Sequence, residues 1–285
     1  MSVRRVVICY HPGIIGARSM ADSIAEQVRL DGCEPWVGPL GAEGASEEEI
    51  AKQAVGAVLL ICVGGDGTVL RASEAAGSAG TPIFGVRMGR LGFLTEATPL
   101  DAQAALSKVL AGMGRVEERS LVQASIGGGE LLHALNEVVI GRRALGRTVS
   151  VGARLDGVLI AEYRADAVIV ATATGSTGYT LSIGGPVLTP ISRDLILMPL
   201  APHLTSHNPL VLPGETNISL EVVHGDQALL VVDGIHEHSV ESGQVVEVTG
   251  SPRRVRFVRL GETGQFYANV ADRLGWLRSD HTLGT

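Results

Sequence analysis

Cysteine is scarce in this 285-residue sequence: Cys9, Cys33 and Cys62 are the only three. They are odd in number and widely spaced. No Cys-x-x-Cys pair occurs, which argues against a structural zinc site built on thiolates. Cys9 and Cys62 fall inside apolar runs, where a thiol serves as a small core residue. Long hydrophobic runs are also missing. None nears the roughly 20 residues that a membrane helix requires. Met1-Ser2-Val3-Arg4-Arg5 leads into only a short apolar run, without the pattern of a secretory signal. These absences point to a soluble cytoplasmic protein that does not engage a membrane. An excess of basic residues is absent too. Lys and Arg number 23 against 30 Asp and Glu, for a formal net charge of −7. Nucleic-acid binding is thereby disfavoured, because a phosphate backbone is held by basic stripes. A local basic pocket for a small phosphorylated ligand remains compatible. Several signatures are missing as well: a Walker-type P-loop, a Gly-x-Gly-x-x-Gly after the first strand, and a Gly-x-Ser-x-Gly elbow.

What is present reads as two domains. The length exceeds the usual single-domain range. Hydrophobic residues at 45% and charged residues at 19% are ordinary for a globular chain. Residues 3–10 read as a buried strand. Met20, Ile24 and Val28 lie four apart on one helix face within 18–30, and Asp31-Gly32 closes that helix. A short strand at 35–37, a helix opened by the capping pair Ser46 and Glu49, and a strand at 57–63 follow. A helix over 68–78, a strand at 82–86 and a helix over 100–111 complete a parallel α/β domain ending near residue 114. Beyond 115, strand-like runs dominate: 121–126, 131–140, 149–155, 158–163, 167–171, 218–223, 228–232, 245–248 and 255–259. Asp156-Gly157 is a two-residue hairpin signal. This second, mainly β domain is expected to run from 115 to 262. A helix over 266–277 within the tail, 263–285, is expected to return to the first domain.

Three stretches carry chemistry. In the first, the apolar run Leu59–Val63 ends in Gly64-Gly65-Asp66-Gly67-Thr68. A buried strand that delivers glycines at its carboxyl end is where open α/β sheets bind ligands. Glycines admit phosphate oxygens to backbone N–H groups. One carboxylate there can meet a metal or take a proton from an attacking hydroxyl. The plainer alternative makes Asp66 a helix N-cap. The second stretch places Asn136 and Glu137 side by side in an apolar strand, as a hydrogen-bonding pair facing a cleft or as a strand end or bulge. The third is a strand beginning after Asp166 that empties into Thr172–Ser182, dense in hydroxyls and glycines. That run suits ribose and amide recognition, or is an ordinary Ser/Thr loop. His236 and His238 share a strand face. They are a metal pair or, more simply, exposed polar positions.

Taken in order, these stretches resemble the NAD kinase family. The resemblance runs from about residue 57 to the C-terminal helix. It includes Gly85–Leu94 with Leu91-Gly92-Phe93-Leu94, Gly184-Gly185-Pro186, Pro202-His203, Asp233-Gly234 and Phe266–Trp276. The resemblance implies a two-domain enzyme that moves the γ-phosphoryl group of ATP, or of polyphosphate, to the 2′-hydroxyl of the adenosine ribose of NAD. It implies Asp66 as the base, Gly64, Gly65, Gly67 and Thr68 around phosphates, and Mg²⁺ carried with ATP. It implies an NAD pocket formed by Arg71, Asn136, Glu137, Arg147, Arg164, Asp166, Thr174, Thr177, Gly178, Tyr179, Thr180, Leu181 and Ser182. Finally, it implies a homodimer or homotetramer whose neighbouring subunit completes that pocket. Arg87, Ala167, Ala173, Asn208 and Ile235 depart from the family pattern and bear on NAD contacts rather than on Asp66. Two other readings stand beside this one. A lipid kinase of the diacylglycerol or sphingosine type shares the Gly-Gly-Asp-Gly-Thr turn, although its Pro-x-Gly-Thr-x-Asn-Asp stretch is missing here. The other is a nucleotide-binding regulator without turnover.

Overall fold

The computed structural model describes residues 4–40, 47–89, 92–144, 146–203, 208–224 and 227–276. The chain divides into two compact units, Met1–Glu117 with Arg256–Thr285, and Glu118–Val255. It passes between them inside strands, within β5 (Arg115–Ile126) and β16 (Val245–Arg259), whereas the sequence expectation put the crossings at 114 and 262.

The first unit alternates strand and helix. β1 (Arg4–Tyr10), α1 (Ala17–Leu30), β2 (Cys33–Pro39), α2 (Glu47–Ala54), β3 (Leu59–Gly64), α3 (Asp66–Ala79), β4 (Ile83–Arg87) and α4 (Ala102–Leu110) follow in turn, and α6 (Gln265–Arg273) returns to it. The strands pair in parallel in the order β2-β1-β3-β4, with Phe257 of β16 beside Ile83 of β4. Helices cover such a sheet, so its central strands read as continuous apolar runs. All six residues of β3 are buried. Ala21, Ile24, Ala25 and Val28 of α1 pack into the core with Ile8, Ile61 and Phe84. Cys9 and Cys62 are register partners on β1 and β3, and burial pushes the Cys9 thiol up to about 12. Both are core residues without nucleophilic character. The Ser46 capping position lies outside the described residues.

The second unit is a sandwich of antiparallel sheets. β6 (Leu132–Ala134), β7 (Glu137–Arg142), β8 (Val149–Leu155), β9 (Val158–Ala165), β10 (Ala167–Ala171), β11 (Leu195–Leu200), β12 (Leu210–Leu212), β13 (Ile218–His224), β14 (Ala228–Val232) and β15 (His236–Val240) supply it with parts of β5 and β16. One sheet carries β16-β13-β8-β9. The other runs β12-β11-β10-β7-β14-β15. Val151, Val168, Val170, Leu197, Leu220, Leu230 and Val246 lie in the core they form. Asp156 and Gly157 both have positive φ, 47° and 84°, as a type I′ hairpin turn requires. Three differences from the sequence reading have local causes. The run 131–140 is interrupted at Leu135-Asn136. β11 and β12 fall between 171 and 218, where the sequence pattern showed no strand-like run. The two runs 245–248 and 255–259 form one strand through Gly250 and Pro252. Among the described residues, no helix is long and apolar enough to cross a membrane.

Candidate active site

In the first unit the chemistry gathers at the turn from β3 to α3. Gly64 ends the strand, and a Cβ there would lie 2.2 Å from Thr68 Oγ1. The Gly65 N–H donates to that oxygen at 3.4 Å, and Thr68 is 3% exposed, so threonine closes the turn from inside. Gly65, not Asp66, is the helix N-cap. Asp66 is the first helical residue, where the helix dipole favours a carboxylate. Its side chain reaches the loop after β4. Phe93 N–H donates to Oδ2 at 2.8 Å and Leu94 N–H to Oδ1 at 3.1 Å. A Cβ on Gly92 would fall 2.1 Å from Asp66 Oδ1, so only glycine lets the loop close on the carboxylate. An ionised carboxylate offers about four acceptor sites. Two are used here, and Asp66 remains partly exposed. Gly67 is exposed with nothing within 4 Å of a built Cβ, which leaves its backbone open to a ligand. Arg71, farther along α3, pairs with Glu47 Oε1 at 3.5 Å.

The second unit holds Asn136 and Glu137 by a device the sequence reading did not assign. Asp233 sits at φ 52°, and its carboxylate accepts the N–H groups of Leu135 (2.7 Å), Asn136 (2.7 Å) and Glu137 (3.2 Å). These amides bond to a side chain rather than a neighbouring strand, which explains the break between β6 and β7. The Thr172 hydroxyl donates to Leu135 O at 2.5 Å and accepts the N–H groups of Thr174 and Gly175. A Cβ on Gly175 would meet Asn136 O at 2.2 Å and Glu137 Oε2 at 3.0 Å. Glu137 is 9% exposed, and among the described residues its Oε2 has no hydrogen-bond partner. Burial first, and the Asp233 carboxylate second, push its carboxyl up to about 8.

That shift predicts a pH effect on stability. The folded state holds the Glu137 proton more tightly than the unfolded chain, so its contribution is fully present below pH 4.5 and is lost as pH rises through about 8. At about 1.4 kcal/mol per pKa unit, a few kcal/mol are at stake. Chemical unfolding between pH 5 and 9 should show this decline, and Glu137→Gln should flatten it. An equal slope in that variant would assign the decline to other groups.

The hydroxyl run bonds largely to itself. Gly175–Thr177 is a 3₁₀ turn and Tyr179–Ser182 (α5) a single helical turn. Thr177 donates to Thr174 O, Thr180 to Gly175 O, Ser176 to Ala173 O and Ser182 to Tyr179 O. Thr174 Oγ1 accepts from Arg119 Nη1 at 3.2 Å. These hydroxyls shape the loop, and Gly178, Tyr179 and Ser182 are its exposed residues; Leu181 is half-buried.

Arg147, Arg164 and Asp166 lie elsewhere. Asp166 pairs with Arg142 Nη2 at 3.0 Å, Arg142 Nη1 donates to Arg147 O at 3.0 Å, and Arg164 Nε donates to Thr148 Oγ1 at 3.3 Å. In the β7–β10 register Ala171 faces Glu137 while Ala167 faces Gly141. The arginine cluster is thus at the opposite end of that strand pair from Glu137, roughly 17 Å away at the usual rise per residue. The family resemblance implies one pocket completed by a neighbouring subunit; within one chain Glu137 and these residues lie at opposite ends of the strand pair. Arg142 had no sequence signal, since an arginine ending a strand is ordinary. Asp233 was visible only as part of Asp233-Gly234.

The chain resembles known proteins over nearly its whole length. Residues 13–114 match the ATP-NAD kinase N-terminal domain, and residues 135–260 match the ATP-NAD kinase C-terminal domain. The NAD kinase of Dehalococcoides mccartyi strain BAV1 is 34% identical, with 95% of this chain and 96% of that protein covered. The NAD kinase of Chloroflexus aurantiacus strain J-10-fl is 37% identical, over 95% of this chain and 99% of the relative. Among solved structures, an NAD kinase from Archaeoglobus fulgidus in complex with ATP matches with a TM-score of 0.78 at 28% identity, covering 96% of this chain and 99% of that one. Yeast NADH kinase complexed with NADH shares the fold, with a TM-score of 0.85 at 20% identity over 100% of this chain and 91% of that one. With both domain families matched in order and relatives above 30% identity end to end, the chain belongs to the NAD kinase family of enzymes.

Proposed function

We propose that this enzyme transfers the γ-phosphoryl group of MgATP to the 2′-hydroxyl of the adenosine ribose of NAD, giving NADP and ADP, with Asp66 as general base. The observation that carries this reading is the Asp66 carboxylate at a glycine-rich strand end, held by two backbone N–H groups and with acceptor sites to spare. The 2′-oxygen attacks the γ-phosphorus, the bond from that phosphorus to the β–γ bridging oxygen breaks, and the hydroxyl proton passes to Asp66. Phosphoryl transfer depends mostly on positioning and charge stabilisation. Gly65 and Gly67 present backbone to the phosphates, and Mg²⁺ enters with the triphosphate as part of the substrate. Asn136 and Glu137 hold the NAD, with Gly178 and Tyr179 as adjoining surface. Glu137, held protonated near neutrality, is a hydrogen-bond donor to a ribose or amide oxygen.

The distance between Arg164–Asp166 and Glu137 supports one further element. In a homodimer or homotetramer, Arg142, Arg164 and Asp166 complete the dinucleotide site of a neighbouring subunit. The acidic chain makes local arginines useful there, since a dinucleotide carries two phosphate charges. Incubation with Mg²⁺, ATP and NAD, read by an NADP-specific dehydrogenase, tests the reading. NADP should form, and arms with polyphosphate or NADH rank donors and acceptors. No NADP with any donor, together with phosphorylation of diacylglycerol, would reverse it in favour of a lipid kinase.

A further inference from the structure

Arg259, the last residue of β16, is 6% exposed and spreads its guanidinium over four acceptors. Nε donates to Glu117 Oε1 at 3.2 Å. Nη1 donates to Glu96 Oε2 at 3.3 Å and to Leu94 O at 3.2 Å. Nη2 donates to Phe93 O at 3.2 Å. The last bond matters most. The Phe93 carbonyl and the Leu94 N–H are two ends of one peptide group, and that N–H donates to Asp66 Oδ1 at 3.1 Å. A single peptide plane thus lies between a buried cation and the Asp66 carboxylate, oxygen toward the one and hydrogen toward the other.

Two physical consequences follow from that placement. A cation on a carbonyl oxygen polarises the amide and strengthens its N–H as a donor. A planar guanidinium gripping two successive carbonyls also fixes the tilt of the Phe93–Leu94 peptide against the one that follows, a fork geometry that an ammonium lacks. The surroundings hold the arginine in turn. Glu96 Oε1 accepts the N–H groups of Leu260 (2.7 Å) and Gly261 (2.8 Å), and Glu117 Oε2 pairs with Arg115 at 2.9 Å. Arg273 stacks 4.7 Å over the Phe93 ring, and Phe266 lies 6.1 Å from it. Apolar side chains could anchor this loop without the desolvation cost of a buried ion cluster. What they could not supply is control of the peptide that faces Asp66.

We propose that Arg259 is a positioning residue for Asp66. By holding the Phe93–Leu94 peptide it sets which carboxylate lone pairs face the reacting hydroxyl. The inference rests on Asp66 as the base, and its test separates the two. Arg259→Lys, Asp66→Asn and the double variant are compared in the full chain by kcat, by KM for NAD and ATP, and by thermal unfolding. Arg259→Lys should lower kcat on the order of 10²-fold, the scale of a small misplacement of a reacting group, with both KM values nearly unchanged. In the Asp66→Asn background it should lower the residual turnover no further, as residues acting through one group are non-additive. Wild-type kcat in folded Arg259→Lys, or the same fold-loss repeated on top of Asp66→Asn, overturns the inference and leaves the base reading standing. Wild-type kcat in Asp66→Asn alone overturns the base reading itself. If Arg259→Lys does not fold, Glu117→Gln serves. It weakens the charge-assisted bond to Nε at nearly constant volume and should give a smaller loss confined to kcat. Unchanged kcat there overturns the inference as well.

Discussion

Asp66→Asn is expected to lower kcat for NADP formation by a factor of about 10² to 10⁴, the usual contribution of a positioned general base, while NAD binding largely persists. Asparagine matches aspartate in size, but it is not neutral here. Asp66 accepts one backbone N–H on each oxygen. The amide of asparagine has a single acceptor oxygen, so its NH₂ must face either Phe93 N–H or Leu94 N–H, donor against donor. The variant therefore gives up a hydrogen bond as well as a proton acceptor, at about 1–3 kcal/mol for a partner left unsatisfied. Kinetics must be paired with an unfolding curve and a direct NAD titration. A folded variant that binds NAD and does not turn over supports the base assignment. Near wild-type turnover would remove Asp66 from the chemistry.

The second large effect belongs to Gly175→Ala. The new methyl carbon would lie 2.2 Å from Asn136 O and 2.7 Å from Asn136 C, both backbone atoms, and 3.0 Å from Glu137 Oε2. A flexible side chain could swing away, but this stretch is tied down. Asn136 O accepts Thr172 N–H, and Asn136 N–H donates to Asp233. Either the 3₁₀ turn moves or the Asp233 and Thr172 bonds stretch. Overpacking of this kind costs about 1–3 kcal/mol, and more where backbone must shift. A fall of several degrees in the unfolding midpoint should accompany a marked rise in KM for NAD, with KM for ATP less affected. Gly141→Ala is the control, since its Cβ would come no closer than 3.7 Å to Ala167 Cβ. Equal midpoints for the two variants would show that the turn yields easily and is not what holds Asn136 and Glu137.

Much of the architecture was legible because it rests on local pattern. β3 is flanked by parallel strands and covered on both faces, so it had to be a continuous apolar run. α1 shows its buried face in the spacing of Ile24 and Val28, and Asp156-Gly157 announces its turn because few residues tolerate positive φ. The Gly64–Thr68 turn, Asn136-Glu137 and the order of both domains likewise follow from near neighbours and from resemblance. What was not legible involves partners far apart in the chain. Asp66 is held by amides 27 and 28 residues on, and Asn136 by a carboxylate 97 residues away. Arg259 reaches across 166 residues to the Phe93 carbonyl. A hydroxyl in sequence looks available to a ligand, yet Thr177 and Thr180 spend theirs on backbone oxygens, which only the course of the chain reveals. The sequence by itself determined which elements form and which residue types gather at their ends, because secondary structure and burial pattern are encoded within a few residues. Only the tertiary structure decided how each carboxylate is aimed and which arginines stand apart from Glu137, because hydrogen-bond partners and strand register are set by distant segments meeting in space.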